Sequence, residues 1–234
     1  MTLLRSLFCI ALLLLLIVPS PAAGDPAARA RFALAEEDWD GVLAATGEGL
    51  AGEPDNVSLL CMQGYALRKL GRYSEAVAVV SEAIALDPAP VRYANRGYAY
   101  VAMGNFSAAL ADAEAALRID PLDATSRGVE AMALAGAGDL AGAESAVDRG
   151  LALAPSSAHL WHVRGEILLL AGNATGAAAA LNRSLAIDPG YSLPWPGMPG
   201  VREDLAAAMR APAAPVSGLA AVAGVLAVWY LRRR

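Results

Sequence analysis

The sequence predicts an all-α protein, a solenoid of helix-turn-helix hairpins with a short apolar segment at each end of the chain. Three observations predict it. Prolines recur every 33 or 34 residues, a glycine follows each of them by about 17 residues, and the long uncharged apolar runs are confined to the two termini.

The 234 residues suffice for one domain of ordinary size with short appendages. Residues 1–23 read as a secretory signal peptide. Arg5 gives a basic start, Leu7 to Val18 is almost unbroken apolar sequence, and Ala22-Ala23-Gly24 is a small-residue exit. Cleavage is expected near Ala23. The alternative, an uncleaved anchor, has against it an apolar run shorter than the ~20 residues a spanning helix needs.

Residues 26–189 carry the repeat. Pro54, Pro88, Pro121, Pro155 and Pro189 set the period, and the last four close similar phrases: Leu86-Asp-Pro88, Ile119-Asp-Pro121, Leu153-Ala-Pro155 and Ile187-Asp-Pro189. A period of this length signals stacked supersecondary units. Between the prolines stand Gly71, Gly104, Gly138 and Gly172, which suit a tight turn between two helices. Five residues later come Ala76, Ala109, Ala143 and Ala177, facing Gly64, Gly97, Ala131 and Gly165 on the preceding helix. Small residues on both sides let the paired helices approach closely, and each proline ends the second helix. The unit ending at Pro54 lacks the start of its first helix, but Trp39-Asp-Gly-Val-Leu marks its second.

The segment from Tyr93 to Leu110, continued through Ile119-Asp-Pro121, resembles the tetratricopeptide repeat family almost position for position. The resemblance covers about five phased copies, the first truncated. It implies a right-handed superhelix whose first helices line a concave groove for a segment of another polypeptide. Carried over residue by residue, it places Tyr65, Arg68, Lys69, Asn95, Tyr98, Met132, His159, His162 and Glu166 in that groove. Tyr65 and Tyr98 are expected at one position of adjacent repeats, with Ala94 and Gly128 leaving space above them. Members that grip a C-terminal carboxylate use Lys, Asn and Arg. Asn95 matches one such position, but Cys61, Tyr65, Thr125 and Val129 stand at the others, so that clamp is not expected and Asn95 reads as a structural hydrogen-bonder.

Residues 190–210 form a Pro/Gly-rich segment followed by a closing helix, Val201 to Arg210, with a polar face of Arg202, Glu203 and Asp204. Tyr191 and Trp195 are expected to pack over the last repeat. Residues 216–231 read as a transmembrane helix, and residues 232–234, three arginines, as a cytoplasmic tail that leaves the repeats outside the cell. The tail also resembles processed archaeal sorting signals, although their usual Pro-Gly-Phe triplet is absent. Retention is favoured over removal.

Setting aside Arg5 and Arg232 to Arg234 from the 18 basic side chains leaves 14 against 23 acidic ones. That sign disfavours nucleic acid. Cys61 alone remains after cleavage, so no internal disulfide is expected. Asn56, Asn105, Asn173 and Asn182 each begin an Asn-x-Ser/Thr acceptor, which points to an exported glycoprotein. One Lys against 17 Arg points to a GC-rich genome and, with export and glycosylation, to an archaeal source.

Chemistry-bearing constellations are few. His159, His162 and Glu166 are spaced by three and four, which puts them on one helical face. Such a set suits zinc, but no Cys or further His completes a shell, and the sequence reading assigns neither metal nor cofactor. With no nucleophile–base pair or phosphate loop, it describes a non-catalytic scaffold or adaptor at the outer face of a membrane. The alternative is an accessory subunit of an envelope enzyme such as a glycosyltransferase.

Overall fold

The computed structural model describes residues 24–191 and 201–210. These form eleven helices and no strand: α1 (Pro26–Ala35), α2 (Trp39–Gly52), α3 (Val57–Lys69), α4 (Tyr73–Leu86), α5 (Pro90–Met103), α6 (Phe106–Ile119), α7 (Ala124–Ala137), α8 (Leu140–Leu153), α9 (Ala158–Leu170), α10 (Ala174–Ile187) and α11 (Val201–Arg210). Five hairpins result, from α1/α2 to α9/α10, and α11 closes the stack against α9 and α10. None of these helices is long and apolar enough to cross a membrane. The expected signal peptide, the segment containing Trp195, the transmembrane helix and the basic tail lie outside the described residues.

Local chemistry sets the helix boundaries. The side chains of Asp25, Asp38, Asn56, Asn105, Asp123, Asp139, Ser157 and Asn173 accept backbone N–H groups of the first turn, satisfying donors that a helix start leaves unpaired. Pro26 and Pro90 occupy first-turn positions, where a missing N–H costs nothing. The turn inside each of the last four hairpins is left-handed at Gly71, Gly104, Gly138 or Gly172, with φ of 75°, 76°, 91° and 76°. Glu37 takes the equivalent place in the first hairpin at φ 55°, so the repeat with the shortened α1 also holds a side chain in a conformation that favours glycine.

Packing follows the small residues. Ala76, Ala109, Ala143 and Ala177 are buried at the seams. A Cβ built on Gly64 would lie 2.4 Å from a Val80 methyl, and one on Gly165 2.6 Å from Leu181, so any larger residue there must push the facing side chain aside. An apolar core runs continuously from α5 to α9. Beside it lies a strong polar tie: Arg96 of α5 donates from Nε and Nη2 to both carboxylate oxygens of Asp112 in α6, at 2.9 and 2.7 Å, and from Nη1 to Ser81 Oγ of α4 at 2.8 Å. Three helices from two hairpins are thereby fixed in register.

The closing helix departs from expectation in one residue. Val201 and Ala208 pack on Leu168, Ala177, Ala180 and Leu181, as a cap over the last hairpin requires. Arg202 and Glu203 are exposed, but Asp204, expected on the same polar face, is buried. Its spacing from Val201 and Ala208 places it on the packed side, where it meets His162.

Candidate functional site

The first helices α3, α5, α7 and α9 bring the predicted groove residues into two clusters of different character. The first lies at the N-terminal end. Trp39 of α2 meets Tyr65 of α3 edge-on, with ring centroids 5.8 Å apart. Lys69 Nζ stands 5.3 Å from the Trp39 ring centre and 5.8 Å from that of Tyr65. The Arg68 guanidinium lies 5.0 Å from the Tyr65 ring and 5.7 Å from Tyr98, and its Nη2 donates to Asn95 Oδ1 at 3.4 Å. These are cation–π distances. Burial, reinforced by the neighbouring Arg68 charge, lowers the Lys69 pKa. Trp39, Tyr65, Lys69 and Asn95 keep part of their surface in solvent, whereas Arg68 is buried beneath them.

In the second cluster a polar chain spans three successive first-helix positions. Tyr98 Oη of α5 lies 2.6 Å from His159 Nε2 of α9, and His159 Nδ1 lies 2.8 Å from Tyr191 Oη, just beyond α10. Tyr98 Oη is also 3.4 Å from the Thr125 carbonyl oxygen of α7. Burial, with the charges of His162 and Arg68 adding to it, drops the His159 pKa to about 3, so the ring is neutral. A neutral imidazole donates through one nitrogen and accepts through the other. One tyrosine therefore donates to the ring and the other accepts from it. Burial raises the phenol pKa of both, which keeps them protonated.

This arrangement corrects four expected groove positions. Tyr98, Met132, Arg68 and His162 are buried rather than groove-lining. For Tyr98 the reason is visible at Gly128. A Cβ built there would lie 3.1 Å from Tyr98 Oη and 3.3 Å from His159 Nε2, so the space expected above the tyrosine is filled by its own hydroxyl and the imidazole. Ala94 is likewise covered. Met132 joins the central apolar core. Asn95 stays partly exposed, its Oδ1 accepting from Arg68 Nη2.

The histidine pair also separates. His159 joins the tyrosines, while His162 turns into the C-terminal end of the stack, where its Nε2 lies 2.8 Å from Asp204 Oδ2 and 3.9 Å from Glu166 Oε1. Burial opposes charge on His162, but the Glu166 charge and the Asp204 hydrogen bond outweigh it and raise its pKa. Burial holds Glu166 above the usual carboxylate range, with the Asp204 charge adding and His162 opposing. Sequence reasoning missed Asp204 as a partner of this pair. The one available signal was its helical spacing from Val201 and Ala208, three before and four after.

Three of the four asparagines expected as glycosylation acceptors serve as helix caps. The Oδ1 atoms of Asn56, Asn105 and Asn173 accept the N–H groups of Leu59, Ala108 and Gly176. Asn105, Asn173 and Asn182 are exposed, and Asn56 is half-buried with its Nδ2 donating to Glu53 at 2.7 Å.

A stack of phased hairpins with glycine turns and alanine seams defines an α-helical repeat protein of the kind that serves as an interaction scaffold. Sequence models of the tetratricopeptide repeat match residues 57–90, 95–158 and 129–192, and the chain belongs to that family. Among solved structures, a thermophilic tetratricopeptide repeat protein of Thermus thermophilus aligns with a TM-score of 0.67 at 21% identity, covering 79% of this chain and 97% of that one. PilW, described as a widely conserved type IV pilus biogenesis factor, aligns with a TM-score of 0.63 at 16% identity, covering 88% and 91%. YrrB, described as having an unusual peptide-binding site, gives 0.50 at 19% identity, covering 69% and 84%. At these identities the likeness is one of fold. No significant match was found among curated proteins.

Proposed function

We propose that this chain is a non-catalytic scaffold that holds a segment of another polypeptide against the N-terminal part of its concave face, and that it works tethered to the outer face of a membrane. The observation that carries the first half is the partly exposed cluster of Trp39, Tyr65 and Lys69 over the buried Arg68. Its aromatic rings are already ordered, so a partner side chain gains apolar contact at little entropic cost. Aromatic and arginine residues of this kind dominate interface energies. The ammonium of Lys69, already partly stripped of water, offers donors to a partner carboxylate or carbonyl. The resemblance to YrrB, a peptide-binding repeat protein, is in keeping with this use of the fold.

Support for membrane tethering comes from the sequence of the two ends alone. Glycosylation is compatible with the caps at Asn105 and Asn173, because capping uses Oδ1 and a glycan attaches to Nδ2. The test is affinity capture from detergent-solubilised native membranes with the full chain and with a Tyr65→Ala/Lys69→Ala variant. The variant is expected to retain its helicity and to lose at least about tenfold in capture, equivalent to ~1.4 kcal/mol. Undiminished capture by the variant would move the binding surface away from this cluster. Peptide mapping of the same captured protein reads the ends: loss of residues 1–23, retention of residues 210–234 and added mass at Asn105 and Asn173 are expected.

A further inference from the structure

His162, Glu166 and Asp204 each direct a potential ligand atom into one small volume, and these three atoms all lie within 4.8 Å of one another. His162 and Glu166 come from α9, one turn apart, and Asp204 comes from α11, 42 residues beyond His162. We propose that these three side chains bind one divalent transition-metal ion of the zinc class, which clamps the closing helix α11 to the last hairpin. The proposal goes beyond partner binding and stands independently of it.

Geometry is the first support. Zinc takes imidazole nitrogen at ~2.0–2.1 Å and carboxylate oxygen at ~2.0–2.2 Å, so its ligand atoms sit roughly 3–3.5 Å apart. Here His162 Nε2 stands 2.8 Å from Asp204 Oδ2 and 3.9 Å from Glu166 Oε1. With all three atoms within 4.8 Å of one another, the donors already surround a common point. The set is one imidazole and two carboxylates, and water would take the fourth position.

Charge balance is the second. The imidazole is fully buried, and Asp204 is buried with it. Two ionised carboxylates against at most one imidazolium leave the cluster negative in a place where uncompensated charge is costly. One way out is a proton taken up by one of the acids. A divalent ion answers the same pressure more completely, because it neutralises both carboxylates at once and takes the Nε2 lone pair of a neutral imidazole. The other ring nitrogen, Nδ1, is buried and has no hydrogen-bond partner among the described residues, so the ring is positioned from its Nε2 side.

The third support is placement. Asp204 is the buried polar residue of a ten-residue helix that also packs on the stack through Val201 and Ala208 and donates from Arg202 to the Pro189 carbonyl. An ion at this point would join α11 to α9 across a segment rich in proline and glycine. Metal bound only by the folded arrangement stabilises it by mass action.

The experiment uses the full chain in detergent, freed of metal with a chelator and then titrated with zinc or cobalt(II). Zinc is expected to raise the melting temperature by several degrees, and cobalt(II) to give visible d–d bands. Glu166→Gln and Asp204→Asn keep the shape of the cluster and should each lower apparent zinc affinity at least tenfold, while His162→Gln should change or abolish the cobalt spectrum. A wild-type chain that melts cooperatively with neither zinc shift nor cobalt bands overturns the proposal. So does a shift that persists undiminished in the Glu166→Gln/Asp204→Asn double variant, which would place the metal elsewhere.

Discussion

Tyr65 and Tyr98 hold the same position in successive repeats, yet one is partly exposed beside a lysine and the other is buried in a hydrogen-bonded chain. The difference lies two hairpins further on. At the place from which His159 reaches Tyr98, the residue facing the register of Tyr65 is Thr125, whose side chain is too short to make the same bridge. Between them, Gly128 clears the path for the imidazole, whereas Ala94 occupies the corresponding place one repeat earlier. A repeat position is therefore neither groove nor core by itself. The side chains that arrive from later repeats decide which it becomes.

Changes to the shared framework should have large effects, because both tyrosines depend on it. Asp112→Ala strands the Arg96 guanidinium among α4, α5 and α6, and a stability loss of about 3 kcal/mol is expected, at the low end for breaking a buried pair because Arg96 keeps some access to water. Chemical denaturation measures it, and a loss under about 1 kcal/mol would mean that the tie does not set the register. Ala143→Leu or Gly165→Leu should follow at about 1–3 kcal/mol, since each overfills a seam already at contact. Unchanged melting of both variants would remove the seam assignment.

A smaller effect separates the two tyrosine environments by pH. His159 has a pKa of about 3 in the fold against an ordinary 6.5, so between those values the unfolded chain takes up a proton that the fold does not. Its contribution to stability is complete above pH 6.5 and is lost as the pH falls toward 3. His162 and Glu166 have raised values and act in the opposite sense, losing stability as the pH rises. The diagnostic is thus the difference between His159→Gln and the parent chain: the variant should lose less stability on acidification from about pH 6.5 toward about 4. Parallel pH profiles for the two proteins would show that burial does not hold His159 neutral in the fold.

The repeat was legible because its signals are local and periodic. Gly71, Gly104, Gly138 and Gly172 mark turns through their backbone freedom, and the alanine seams recur at fixed offsets from them. A helix within residues 201–210 was legible too, from the Pro and Gly before it and the polar run Arg202, Glu203 and Asp204. The site was legible only where it stayed within one repeat, as for Tyr65 with Lys69. Tyr98 with His159, 61 residues apart, and His162 with Asp204, 42 apart, are contacts between repeats or beyond them, and the period encodes neither. Stacking of the helices brings them together, and side-chain length decides whether they touch. Glu37 was missed for the opposite reason: its left-handed turn is dictated by the repeat, while the residue there carries no glycine signal.

The most direct test of this account compares Tyr65→Ala with Tyr98→Ala by equilibrium denaturation of the full chain. Tyr98→Ala is expected to cost about 3 kcal/mol or more, as for a large buried aromatic ring, and Tyr65→Ala no more than about 1 kcal/mol. Equal losses in the two variants would contradict the claim that later repeats turn one copy of the same position into core and leave the other for a partner.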